Sequence, residues 1–132
     1  MNTKKLILLV DDDTPFRFAM ATELRTLGYL VLCAENGDRA IKMIRESKES
    51  GLRFDLVITD LVMPRKDGML VCREIREIFK NLPVLVITGF MSSETEKFLQ
   101  EIGCNDYMEK PFSPTEMVQK VEMLLEGPGC GL

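Results

Sequence analysis

The sequence contains no histidine, which excludes a Ser-His or Cys-His nucleophile pair within the chain. Its four cysteines, Cys33, Cys72, Cys104 and Cys130, form no C-x-x-C pair. A structural zinc site is therefore not expected, and scattered thiols fit a reducing, cytoplasmic compartment. Positive charge is not in excess either: 17 Lys and Arg stand against 21 Asp and Glu, a net charge of −4. A nucleic-acid surface needs a basic stripe to neutralise phosphates, so direct nucleic acid binding is not expected. No apolar run approaches the roughly 18 residues of a membrane span. The N-terminal Lys4-Lys5-Leu6-Ile7-Leu8-Leu9-Val10 imitates a signal peptide, with a basic start before an apolar stretch. That stretch is too short for such a segment and runs straight into three aspartates, so it reads as a strand. There is no internal repeat.

What is present is one domain's worth of chain, 132 residues with 45% apolar content, enough to bury a real core. Short apolar runs alternate with helix-period segments five times, the pattern of a parallel sheet covered by helices on both faces. Strands are predicted at Leu6 to Val10, Tyr29 to Ala34, Phe54 to Thr59, Val84 to Thr88 and, weakly, Asp106 to Glu109. Thr14 reads as the N-cap of the first helix with Pro15 at its first position, and Gly28 as its stop. Phe16, Met20, Leu24 and Leu27 form that helix's apolar stripe. Further helices are predicted from Gly37 to about Ser47, up to about Phe79, and from Glu94 to Ile102. Ser113-Pro114-Thr115-Glu116 is a capping box opening the last helix, whose stripe is Met117, Val118, Val121, Leu124 and Leu125. The domain is expected to span residues 1–126. Residues 127–132, Gly-rich with Pro128, read as a flexible tail or the start of a linker.

Two acidic sites fall at predicted strand ends, Asp11-Asp12-Asp13 after the first and Asp60 after the third. In an open α/β sheet, ligands bind beyond the carboxyl ends of the strands where the strand order reverses. If the first and third strands are neighbours there, several carboxylates crowd one small volume and repel unless a cation compensates. Mg²⁺ suits such a site, since it keeps several waters and needs one or two carboxylates plus a phosphate oxygen. Thr88 ends the fourth strand and Lys110 the fifth. A carboxylate, a divalent ion, a hydroxyl and an ammonium aimed at one point form a phosphoryl-transfer set. Each residue alone has an ordinary explanation: Asp13 favours the turn and the helix's positive end, Asp60 a turn, Thr88 a strand end, Lys110 a solvated tip. Their occurrence in order at successive strand ends favours a site.

These motifs, LLVDDD, DLVMPRKDG, VLVITG and NDYMEKPF, strongly resemble those of the response-regulator receiver family, from about Lys5 to Glu126. The resemblance implies a flavodoxin-like, doubly wound sheet of order 2-1-3-4-5. It implies that Asp60 accepts a phosphoryl group from a sensor histidine kinase or a histidine phosphotransfer domain. Asp12 and Asp60 would hold Mg²⁺ with the backbone carbonyl of Val62, and Asp11 would act mainly through water. The Lys110-Pro111 bond would be cis, Thr88 would move toward the phosphoryl, and Tyr107 would turn inward behind it. The surface of the fourth helix, fifth strand and fifth helix would then control an unknown output domain or protein. The domain would assist its own phosphorylation and dephosphorylation without turning over a separate substrate, as a monomer or a phosphorylation-dependent dimer. Gly89 departs from the alanine of many members, which loosens that loop. Val62 and Phe90, flanking the site, are apolar and position no attacking water, so a long-lived aspartyl phosphate is expected. Phe18 lies about 200° around the first helix from Phe16; it is either an incidental exposed aromatic or part of the kinase-docking face. Met123 lies off the last helix's stripe and is a weaker candidate for an output face.

Two rival readings share parts of this pattern. A phosphohydrolase of the haloacid-dehalogenase type also uses an aspartate after its first strand, but in Asp11-Asp12-Asp13-Thr14 the threonine falls one place early for its D-x-D-x-T signature, and the chain is short for that fold. A receiver-like module that is never phosphorylated is disfavoured because Asp11, Asp12, Asp60, Thr88 and Lys110 are all present.

Overall fold

Five short apolar runs become five parallel strands in a computed structural model, which describes residues 4–61, 68–104 and 106–126. In chain order the elements are β1 (Leu6–Val10), α1 (Thr14–Thr26), β2 (Leu30–Ala34), α2 (Gly37–Ser50), β3 (Leu56–Asp60), α3 (Gly68–Ile78), β4 (Val84–Thr88), α4 (Ser93–Glu101), β5 (Asp106–Glu109) and α5 (Pro114–Glu126). The sheet order is β2-β1-β3-β4-β5, so β1 pairs with both β2 and β3, all parallel. The strand order reverses between β1 and β3, and the carboxylate motifs close those two strands.

The three central strands are buried at every position, because helices cover both faces and neither face can be polar. Side chains alternate between the two sides. Ile7 and Leu9 join Met20, Leu24, Ile58 and Val121 under α1 and α5. Leu8 and Val10 join Ile44, Val57 and Ile75 under α2 and α3. Each such aliphatic side chain contributes about 1.5–3 kcal/mol on burial. Among the described residues, no helix is long and apolar enough to cross a membrane.

The helix ends follow local chemistry, with corrections to the sequence reading. Asp13, not Thr14, is the N-cap of α1: its backbone is extended and its carboxylate accepts from the Phe16 N–H, leaving Thr14 and Pro15 in the first turn. Leu27 leaves the apolar stripe, 49% exposed, because it is the C-cap before the left-handed Gly28. The helix α2 runs on to Ser50, ending where Gly51 adopts a left-handed conformation. β2 begins one residue late, at Leu30. β3 begins at Leu56 rather than Phe54, since the Asp55 carboxylate is drawn to the Leu6 N–H at 2.8 Å, and the strand extends to include Asp60. α3 stops at Ile78, and α4 starts at Ser93 behind a Ser92 cap. The capping box of α5 is reciprocal: Ser113 N–H donates to Glu116 Oε1 at 2.8 Å, and Glu116 N–H to Ser113 Oγ at 3.1 Å. Residues 127–132, read as a tail, lie outside the described residues.

Candidate functional site

The register between β1 and β3 aligns Val10 with Thr59, so Asp11, just past the end of β1, stands level with Asp60, the last residue of β3. Carboxylate oxygens of Asp11, Asp12 and Asp60 lie within 4.8 Å of one another. Asp11 and Asp60 are buried and Asp12 is exposed. The Asp11 carboxylate is oriented by the Asp13 N–H, which donates to Oδ1 at 2.9 Å, and Arg17 Nη1 donates to its backbone carbonyl. From the far side, β5 delivers Lys110: its N–H donates to the Thr88 carbonyl at 2.8 Å. Its ammonium donates to Asp60 Oδ2 at 3.2 Å and pairs with Asp11 Oδ2 at 3.6 Å. The same ammonium lies 4.2 Å from the Phe16 ring centroid, a cation–π contact that holds the lysine over the cluster. The Lys110–Pro111 bond is cis.

The electrostatics are unbalanced. Among the described residues, three carboxylates cluster about the Lys110 ammonium, and like charges so close repel one another. Burial pushes the Asp11 carboxyl above its ordinary 3.8; the Asp13 N–H and Lys110 pull it down, and Asp60 and Asp12 push it further up. Burial lowers the Lys110 ammonium, but Asp11 and Asp60 together outweigh this and raise it. Asp11 Oδ2 is buried and accepts no hydrogen bond. A buried carboxylate oxygen with only a longer ion pair to Lys110 at 3.6 Å, within reach of two other carboxylates, is part of the donor set a hard divalent cation takes. The residues therefore fit Mg²⁺.

Two elements of the sequence reading take a definite position. The Thr88 hydroxyl donates to the Phe90 carbonyl at 3.0 Å and accepts from the Phe90 N–H at 3.2 Å, so it is engaged by its own loop. The Tyr107 hydroxyl lies against α4, donating to Glu96 Oε2 at 3.4 Å. Phe18 and Phe90 are exposed, at 70% and 76%, and Met123 is exposed as well. Val62 lies outside the described residues. Sequence reasoning missed Phe16 as the seat of Lys110, and Glu96 and Glu109 as ties across the β4–α4 region; Glu109 Oε2 accepts from the Met91 N–H at 3.0 Å. It also missed why Gly68 is glycine. A Cβ there would stand 2.5 Å from the Asp60 carbonyl oxygen and from Leu61 Cα, so the chain returns hard against the strand end that carries Asp60.

A doubly wound α/β domain with acids gathered at its switch point and a lysine opposite is a class of its own. The response regulator receiver domain profile matches residues 7–122, and the chain belongs to that family of signalling domains. The HemR receiver domain of Leptospira biflexa, non-phosphorylated, is 27% identical with a TM-score of 0.85, covering 95% of this chain and 97% of that one. The response regulator TrrA of Thermotoga maritima, solved in complex with Mg(2+)-BeF, is 35% identical with a TM-score of 0.76, covering 92% and 99%. A protein of Guillardia theta named Probable transcriptional regulator ycf27 is 33% identical over 125 residues. The chain, 95% covered, spans about half of that relative's length, 47%.

Proposed function

We propose that Asp60 is the phosphoacceptor of a two-component system, taking a phosphoryl group from the histidine of a sensor kinase or phosphotransfer domain. The observation that carries this is the ammonium of Lys110, 3.2 Å from Asp60 and 3.6 Å from Asp11, facing three clustered carboxylates. An Asp60 oxygen attacks phosphorus in line, the P–N bond of the phosphohistidine breaks, and the departing imidazole takes a proton from solvent. Lys110, seated on Phe16, balances charge on the phosphoryl oxygens. Asp12, Asp60 and the Val62 carbonyl would hold Mg²⁺, with Asp11 acting mainly through water. When bound, the ion neutralises the carboxylates and the incoming phosphoryl oxygens.

The switch follows from the two engaged hydroxyls. Thr88 must leave the Phe90 backbone to donate to the phosphoryl group, and Tyr107 must leave Glu96 to turn inward. Those movements alter the α4–β5–α5 surface, where a following domain or separate protein reads the state. The domain is a phosphoryl carrier that assists its own loading and hydrolysis, works in the cytoplasm, and comprises residues 1–126 with 127–132 as tail or linker. It acts as a monomer or a phosphorylation-dependent dimer. Phe18 helps dock the donor's helices; a Phe18→Ala protein that receives phosphoryl at the wild-type rate removes that assignment. With apolar residues, Val62 and Phe90, two places after Asp60 and Thr88 in the sequence, the acyl phosphate outlasts seconds in Mg²⁺, and faster loss of label counts against it.

The test is incubation with acetyl phosphate and Mg²⁺, then borohydride trapping and peptide mapping. Label on Asp60, lost in Asp60→Asn and without Mg²⁺, is expected. Label on Asp11 instead, or no label together with no beryllofluoride binding, overturns the proposal.

A further inference from the structure

A cavity lies at the end of the sheet opposite the carboxylate cluster. The helices α2 and α3 cover the same face and end at Ser50 and Ile78, and the segments that follow, 51–55 and 79–83, lead into β3 and β4. The Val57 N–H donates to the Pro83 carbonyl at 3.0 Å and the Asp55 N–H to the Leu6 carbonyl at 2.8 Å, which fastens both segments to the sheet. Between these segments and the helix ends is a space of about 440 Å³. Small-molecule sites measure about 300–1,000 Å³.

The lining combines apolar rings with positive charge. Phe54 and Leu82 are buried and Phe79 half-buried, while the cations Lys48, Arg53 and Lys80 are exposed. Three cations stand against one lining carboxylate, Asp55, in a chain whose net charge is −4. The Asp55 carboxylate is directed to the Leu6 N–H at 2.8 Å. Among the described residues, no carboxylate pairs with Lys48, Arg53 or Lys80. Helix C-terminal carbonyls would repel an anion, but here they are already engaged. Lys48 Nζ donates to the Ile78 carbonyl at 3.3 Å and lies 5.8 Å from the Phe79 ring centroid. Arg76 Nη1 donates to the carbonyls of Phe79 at 3.2 Å and Lys80 at 2.8 Å. The Arg53 and Lys80 side chains thus remain available beside an apolar floor.

We propose that this cavity binds a small aromatic carboxylate, its ring against Phe54, Phe79 and Leu82 and its charge between Arg53 and Lys80. The guanidinium fork matches a carboxylate geometrically, and the two phenylalanine rings suit a flat apolar body. Asp55 in the wall favours a singly charged ligand over a phosphate dianion, which it would repel more strongly. No residue of the phosphoryl site lines the cavity, so this proposal stands or falls separately from that site.

The test is a titration of the ¹⁵N-labelled chain followed by amide shifts, with 2-naphthoate as probe, 2-naphthol as its neutral counterpart and inorganic phosphate as charge alone. Saturable shifts are expected from 2-naphthoate at the amides of residues 51–55 and 79–82. The double variant Arg53→Gln, Lys80→Gln should bind it about tenfold more weakly, and 2-naphthol should bind the wild type about as weakly as that. Phosphate should not displace 2-naphthoate, and Asp60→Asn should bind it as the wild type does. Both substituted positions are exposed, and an unchanged spectrum away from them verifies the fold. The proposal is overturned by an absence of saturable shifts, by shifts centred on Phe16 and Met117, or by equal binding of naphthoate and naphthol. Unchanged affinity in the double variant overturns it too.

Discussion

Replacing Asp11 by Asn should stabilise the metal-free domain and weaken its response to Mg²⁺. Asn keeps an acceptor for the Asp13 N–H, which bonds Oδ1 at 2.9 Å, but removes a charge that is almost fully buried. At an effective dielectric of about 20, a like charge at the outer limit of 4.8 Å repels Asp11 by about 3.5 kcal/mol, and Lys110 at 3.6 Å attracts it by about 4.6 kcal/mol. Those terms nearly cancel, with exposed Asp12 adding a screened repulsion. What remains is the cost of burial, the largest influence on this carboxyl, leaving a net gain of about 1–2 kcal/mol for the substitution. For a domain of this size that is a Tm rise of about 3–8 °C. Mg²⁺ at a hundred times its Kd should stabilise the wild type by about 2.7 kcal/mol and Asp11→Asn by far less. The pH dependence has a definite sign. With its folded value above 3.8, Asp11 binds its proton more tightly in the native state than in the unfolded one. Its contribution is fully present below pH 3.8 and is lost as pH rises through the raised value, so the advantage of Asp11→Asn should grow across that window and then level off. Urea unfolding of both proteins, with and without Mg²⁺ across that pH range, measures all three quantities. A destabilised Asp11→Asn that still responds to Mg²⁺ as the wild type does would refute the electrostatic account.

Three further outcomes can be read by the same unfolding assay. Gly68→Ala places a Cβ 2.5 Å from backbone atoms of Asp60 and Leu61 and should cost about 2–3 kcal/mol, while Gly89→Ala, with nothing within 4 Å and no positive φ, should be neutral or stabilising; equal effects would mean the loop does not press on the strand end. Glu116→Ala removes the acceptor of the Ser113 N–H and should cost about 1 kcal/mol, and a change below a few tenths would dismiss the capping box as a source of stability. Leu24→Ala, at a fully buried position, should cost about 2–5 kcal/mol, against roughly 0.5 kcal/mol or less for Leu27→Ala at the exposed cap; the reverse order would contradict the assignment of the stripe.

The sequence by itself determined the strand and helix alternation, the sheet class, and which acids and lysine gather at the strand ends, because apolar period and the placement of such residues at strand ends are properties of the linear pattern. Its errors fell at element ends. Asp13 took the cap expected of Thr14, and the Asp55 carboxylate took the Leu6 N–H, since a side chain's choice among several nearby N–H groups depends on where the backbone already is. Only the tertiary structure decided that Phe16 seats Lys110, that Glu96 and Phe90 hold Tyr107 and Thr88, and that Gly68 must lack a Cβ. The same holds for the meeting of Cys72, Cys104 and Arg76. The contacts of Lys110 with Phe16 and of Cys104 with Cys72 and Arg76 of α3 join segments distant along the chain, and the distance between such segments is set by how helices and strands pack; the shorter-range ones, Thr88 with Phe90 and Gly68 with Asp60, depend on loop paths that residue spacing does not encode.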